Sequence, residues 1–186
     1  QKVNLCSERK VFGVSCDEYC KNGAMSEYIS VPERIVHKLE NNISMDEAAL
    51  IEPASVAYHS VSLSKFNPKD TVMVVGAGVI GLTIIQVLKM RKCKNIISID
   101  INDARLKVAK YYGADILINA EKENVATRID KDCNKKVDIA FEAVGINKTV
   151  NYCLECVKKA GKIILVGNVQ PNITVSLQRI VTRELK

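Results

Sequence analysis

From Asp70 onward, short apolar runs alternate with stretches of helical spacing. Thr71-Val72-Met73-Val74-Val75 is continuous and β-branched, as a strand covered on both faces should be. Further strands are predicted at Asn95–Asp100, Asp115–Ile118, Val137–Phe141 and Lys162–Val166. Between them, Val79–Met90 carries Leu82, Ile85, Val87 and Leu88 at helical spacing. The next helix holds Leu106, Val108, Ala109 and Tyr112; Asn102 or Asp103 can cap it, and Gly113 suits its C-terminal stop. A polar helix near Val125–Lys131 and a helix over Lys148–Lys158, ended by Gly161, complete the pattern. Strands alternating with helices imply an α/β fold, a doubly wound and mainly parallel sheet with right-handed crossovers.

The first fifty residues read differently. They hold Gly, Cys and Asn with short extended pieces such as Ser26–Val31, punctuated by Pro32 and Asn41-Asn42. This predicts a remnant of a β-rich domain over residues 1–52 and the α/β domain over 53–186. The chain starts at Gln1 without an initiator Met and stops at Lys186 with no closing turn, so both ends read as cuts through a longer protein.

The turn after the first strand carries the chemistry. Gly76-Ala77-Gly78-Val79-Ile80-Gly81 is a G-x-G-x-x-G run between a predicted strand and a predicted helix, the context that gives this motif meaning. Gly76 permits the tight turn, Gly78 lets backbone approach a pyrophosphate, and Gly81 allows close helix–sheet packing. The helix N-terminus offers N–H groups to the phosphates. Asp100 closes the next strand, where a carboxylate accepts from ribose hydroxyls and repels a 2′-phosphate, favouring NAD over NADP. The fold is therefore of Rossmann type. A methyltransferase, which also uses a Gly-rich first loop and an acid after the second strand, is the competitor on this sheet. Two later strand ends, Glu142-Ala143-Val144-Gly145 and Gly167-Asn168, fall where open α/β sheets bind ligands.

Composition narrows the classes. Hydrophobic residues make up 47% and charged residues 26%, which excludes a disordered chain. No apolar run approaches the ~20 residues of a membrane helix. Aromatics are 5% and Trp is absent, which argues against base-stacking nucleic-acid platforms. The net charge of +6 comes from scattered lysines; the densest groups, Lys89-Arg91-Lys92-Lys94 and Lys131-Lys135-Lys136, sit at predicted helix ends. Seven Cys, an odd number, without a secretion signal point to a reducing compartment, hence the cytoplasm. Cys153-x-x-Cys156 falls inside a predicted helix with no second pair and reads as a buried thiol pair. Cys16-x-x-x-Cys20 with Cys6 could make a makeshift metal site. His37 and His59 are the only histidines. His59, one or two helical turns after Glu52-Pro53, reads first as a packed or surface helix residue, with the cofactor cleft as the alternative. No Ser/His/Asp set supports hydrolysis.

The segment Ala48–His59, with Glu52-Pro53 at its centre, resembles the Glu-Pro segment of zinc-dependent medium-chain dehydrogenases, especially the sorbitol, butanediol and galactitol-1-phosphate branch. Gly23-Ala24-Met25-Ser26-Glu27-Tyr28 resembles that family's Gly-x-x-Ala-Glu-Tyr segment, and Asn4-Leu5-Cys6 the end of its structural-zinc lobe. The resemblance spans essentially the whole chain. It implies a GroES-like β-rich catalytic domain before the nucleotide domain. It also implies oxidation of a secondary alcohol of a polyol or sugar-alcohol phosphate to a ketone, with NAD and zinc. Glu52 would lie at the catalytic zinc, directly or through water, and Cys6 would be the last of four structural-zinc cysteines whose partners this sequence lacks. The family's catalytic-zinc Cys and Gly-His-Glu segment are also absent. Val79 and Ile80 would meet the pyrophosphate, Asp100 the ribose and Arg105 the adenine side. Ala143, Val144 and Gly145 belong to the cofactor half, and Val166, Gly167 and Asn168 would line the nicotinamide end. The family implies a homo-oligomer. The other readings are a non-catalytic NAD-binding module and a zinc-free quinone-reductase-type relative; Glu52 and Asp100 argue against the latter.

Overall fold

The computed structural model describes residues 3–14, 20–133 and 137–186. Cys16 and the Lys135-Lys136 pair lie outside the described residues. The chain divides into two compact units, Gln1–Ile43 and Ser44–Lys186. The expected boundary after residue 52 falls inside a helix. The second unit instead begins at Ser44, whose side chain accepts from Glu47 N while the Glu47 carboxylate accepts from Ser44 N, a reciprocal capping box. The Ser-Met-Asp-Glu spacing was its sequence signature.

In the first unit, β1 (Val11–Phe12) and β2 (Cys20–Lys21) pair in parallel over two residues each. Ser26–Val31, expected to be extended, forms no strand. In the second unit, α1 (Met45–Ala49) leads into α2 (Ile51–Ser64). There follow β3 (Thr71–Val75), α3 (Val79–Met90), β4 (Asn95–Asp100), α4 (Asp103–Tyr111), β5 (Ile116–Asn119), α5 (Val125–Cys133), β6 (Val137–Glu142), α6 (Asn147–Cys156), β7 (Val157–Leu165) and α7 (Leu177–Thr182).

The second unit's five strands are all parallel, in the order β5-β4-β3-β6-β7. The chain runs outward from β3 to β5, then returns to the other side of β3 with β6. Its switch point thus lies between β3 and β6, where such sheets leave a crevice at the strand C-termini.

Alternation along the strands explains the two-faced core. Val72, Val74, Ile96, Ile139 and Phe141 pack with Ala57 and Val61 of α2 and Ile84, Ile85 and Leu88 of α3. Met73, Val75, Ile97, Ile99 and Ala140 point the other way, against Val125 and Ile129 of α5 and Cys153 and Cys156 of α6. Apolar residues at consecutive positions are what a sheet covered on both faces demands. The basic residues also fall as charge arguments require. Lys89 and Lys131 sit in the last turns of α3 and α5. Lys162 on β7 donates to Ser64 O at the C-terminal end of α2, 2.7 Å away.

Within the sheet domain, the end of α6 departs from expectation. Val150, Leu154 and Val157 share helical spacing, which predicted a helix to Lys158. The helix ends at Cys156, and Val157 turns extended and pairs with Val137 of β6. The ladder then resumes only at Ile139–Lys162, so Lys158–Gly161 bulges out, with Ala160 at φ +58°. Val157 is fully buried; pairing in the sheet satisfies its backbone as well as its side chain, which outweighs helical continuation. No helix among the described residues is long and apolar enough to cross a membrane.

Candidate nucleotide-binding site

The β3–α3 turn is built on its glycines. Gly76 has φ +95°, and its N–H donates to Ile99 O at 2.7 Å, tying the turn to β4. A Cβ on Gly81 would lie 1.7 Å from Gly76 O, so only glycine lets α3 start this close to the turn. Gly78 is different. A Cβ there would meet nothing within 4 Å, and no side chain caps α3 at this position. The helix thus opens onto free space with its first N–H groups unclaimed by a cap, which is the arrangement a pyrophosphate needs. Val79 is exposed at the start of α3, while the Ile80 side chain packs against the core.

Asp100 sits across this turn, buried at the end of β4. Its Oδ2 accepts from Ala77 N at 2.7 Å and its Oδ1 from Asn102 N at 2.9 Å. The Arg105 guanidinium comes within 4.0 Å. Asn102, one of the two expected caps, accepts from Ala104 N and Arg105 N. Asp100 therefore clamps the glycine turn as well as facing the cleft. Each carboxylate oxygen keeps a second acceptor site for a hydroxyl.

Gly76, Asp100, Ile101 and Arg105 form one wall of a cleft of about 150 Å³. Val144, Ile146, Lys148, Thr149 and Tyr152 line the other side. The cleft's lining is predominantly apolar and includes Asp100, Arg105 and Lys148, as a slot for a flat heterocycle and its ribose would.

The loops after β6 and β7 interlock beside it. Ala143 N donates to Val75 O at 2.9 Å, and Val166 N and Gly167 N both donate to Glu142 O. Gly145 (φ +84°) touches the next loop so closely that a Cβ would lie 2.2 Å from Asn168 N. Glu142 itself is wholly buried, and its carboxylate accepts from Val144 N and Gly145 N at 2.9–3.0 Å. Sequence reasoning placed Glu142 in the ligand-side loop after the fourth strand but gave its own carboxylate no role. The signal was there: an acid closing an otherwise apolar strand, followed by two backbone N–H groups within its reach.

Gly76–Gly81, Asp100, Arg105, Val144–Gly145 and Gly167–Asn168 thus gather at the carboxyl ends of β3, β4, β6 and β7. Glu52 lies apart from this cleft's lining, exposed in the first turn of α2. Cys6 belongs to the first unit. Among the described residues, no group of three or more His, Cys, Asp and Glu side chains could hold a metal, so neither Glu52 nor Cys6 belongs to such a group there.

Cys153 and Cys156 are buried in α6. Burial pushes both thiols up, Cys156 to about 12. Both stay protonated at neutral pH, and the stabilisation from burying the neutral Cys156 thiol is complete below pH ~9 and lost as pH rises towards ~12. In the folded chain at pH 8, iodoacetamide is expected to modify exposed Cys20 and to spare Cys153 and Cys156 until denaturant is added. Peptide mapping by mass spectrometry checks this; equal labelling of the three would contradict it.

A parallel sheet with a glycine-rich turn at its switch point and an acid closing the neighbouring strand defines a nucleotide-binding α/β domain. A family model described as zinc-binding dehydrogenase matches residues 79–186. L-Idonate 5-dehydrogenase of Vitis vinifera is 32% identical over 99% of this chain and 50% of its own length. The alcohol dehydrogenase TADH of Thermus sp. ATN1 superposes with a TM-score of 0.87 at 33% identity, over 98% of this chain and 54% of that one. An alcohol dehydrogenase of Escherichia coli CFT073, solved in complex with NADH, gives a TM-score of 0.81 at 32% identity, over 88% and 48%. The chain belongs to the zinc-dependent medium-chain alcohol and polyol dehydrogenase family. It spans about half the length of the relatives it matches.

Proposed function

We propose that this chain is the cofactor-binding part of an NAD-dependent dehydrogenase that oxidises a secondary alcohol of a polyol or sugar-alcohol phosphate to a ketone. The observation that carries the reading is the Gly78 opening beside the Asp100 carboxylate. Backbone there is free to approach a pyrophosphate, and an acid stands where an adenosine ribose would sit. NAD, when bound, supplies the hydride acceptor.

The chain's own residues bind and orient it. The start of α3 at Gly78–Ile80 holds the pyrophosphate, Asp100 takes the ribose hydroxyls and Arg105 covers the adenine side. Val144 walls the adenosine slot, and Val166, Gly167 and Asn168 bound the nicotinamide end. In support, the relative solved with NADH shares the fold at 32% identity. Zinc needs more donors than the described residues provide. Glu52 is an exposed carboxylate without a partner among the described residues, and both it and half-buried Cys6 could serve only beside other ligands. The 186-residue chain is therefore read as binding cofactor without turning over. A cytoplasmic homo-oligomer with a β-rich catalytic domain belongs to the same proposal.

Calorimetric titration with NAD, NADP and S-adenosylmethionine tests the reading. NAD should bind at least about tenfold more tightly than NADP, because a 2′-phosphate would crowd the buried Asp100 charge. Tighter binding of NADP would overturn the Asp100 argument, and tighter binding of S-adenosylmethionine the family of reaction.

A further inference from the structure

Glu142 is a wholly buried carboxylate with no cation paired to it among the described residues, held by backbone N–H groups alone. Its side chain and its main chain serve different loops. Oε1 accepts from Val144 N (3.0 Å) and Gly145 N (2.9 Å), and Oε2 accepts from Gly145 N (2.9 Å). Its carbonyl accepts from Val166 N (2.8 Å) and Gly167 N (3.0 Å). One residue thus grips both loops that rise from β6 and β7. The loops meet without a gap: a Cβ on Gly145 would fall 2.4 Å from Gly167 C, and one on Gly167 would fall 2.3 Å from Gly145 N. Gln170 N also donates to Gly145 O at 2.8 Å. Moving Gly145 therefore moves Gly167 and Asn168.

We infer that Glu142 is a positioning residue: its carboxylate fixes Gly145 against the Gly167–Asn168 backbone and so sets how the nicotinamide half of a bound dinucleotide is held. This rests on the NAD reading above. The chemistry of an isosteric change makes the role separable from plain support of the fold. In Glu142→Gln an amide oxygen at the Oε1 place can still accept from both Val144 N and Gly145 N, but the amide NH2 at the Oε2 place then faces the Gly145 N–H, donor against donor, so Gly145 loses one of its two acceptors. The disturbance falls on Gly145, while Val144 keeps its bond and the adenosine wall its place.

The test is binding of NAD and of AMP by the full chain and its Glu142→Gln variant, measured by NMR titration. AMP reaches only the adenosine slot; NAD spans both loops. The variant is expected to bind NAD at least about tenfold more weakly while its AMP affinity changes by less than about threefold. Equal NAD affinity in the two proteins overturns the proposal and leaves the NAD reading standing. Parallel losses for NAD and AMP also overturn it, because a merely structural residue would weaken both. Failure of the unmodified chain to bind NAD would sink the underlying reading and this inference with it. If Glu142→Gln does not fold, Glu142→Asp, which draws the carboxylate back from both Val144 N and Gly145 N, should still weaken NAD more than AMP. Failure of both variants to fold makes Glu142 a requirement of the fold and overturns the positioning role.

Discussion

Replacing Gly81 by Ala is expected to destabilise the second unit by about 3 kcal/mol or more. Within a helix, Gly to Ala ordinarily gains ~1 kcal/mol. Here the sign reverses because the new methyl group would lie 1.7 Å from Gly76 O and 2.9 Å from Gly76 C. Neither partner is a flexible side chain that can swing away. The turn is pinned from the other side, with Gly76 N bonded to Ile99 O and Ala77 N to Asp100. To admit the methyl group, α3 must lift from β3, disrupting the contacts of Ile84, Ile85 and Leu88 with the sheet. Urea denaturation followed by circular dichroism checks this. A midpoint unchanged from that of the unmodified chain would show that the turn is far softer than its hydrogen bonds suggest.

The second large effect falls on binding and spares stability. Gly78→Ala places a methyl group in open space, at an ordinary φ of −77° and ψ of −170°. Stability should stay within ~0.5 kcal/mol of the unmodified chain. The methyl group would occupy the space through which a pyrophosphate approaches the first N–H groups of α3, so NAD affinity should fall at least about tenfold. The two glycines, three positions apart, are thus expected to separate cleanly, one carrying the fold and the other the ligand. Calorimetry and urea melts on both variants check this. Gly78→Ala with undiminished NAD affinity would place the pyrophosphate elsewhere.

What the sequence disclosed follows from which interactions are local. The strands of the sheet were legible because each carries consecutive apolar residues, and both faces of a covered parallel strand leave that mark. The distinct duties of Gly76, Gly78 and Gly81 were legible too, because a strand–turn–helix is a single local unit whose steric demands are fixed by spacing. The end of α6 was not. Val157 continues the helical spacing of Val150 and Leu154, and only its partner Val137, far away in the chain, draws it into the sheet. Asp100 was read as a ribose ligand, yet its hold on Ala77 N depends on β3 and β4 lying side by side. Glu142 falls in a strand end the sequence marks, yet its side chain's role stays hidden because an acid at a strand end is ordinary. Its importance comes from complete burial and from the contact of two loops that the sequence separates by some twenty residues. The first unit gave least, since its two-residue strands have no periodicity to read.

The central claim is that one cleft, at the carboxyl ends of β3, β4, β6 and β7, takes a nicotinamide dinucleotide. Mapping amide chemical-shift changes on the ¹⁵N-labelled chain during titration with NAD tests it most directly. Changes should concentrate at Gly76–Gly81, Asp100–Arg105, Val144–Gly145 and Val166–Asn168. Changes centred instead at the opposite end of the sheet, around Thr71, Asn95 and Asp115, or no changes at saturating NAD, would contradict the account.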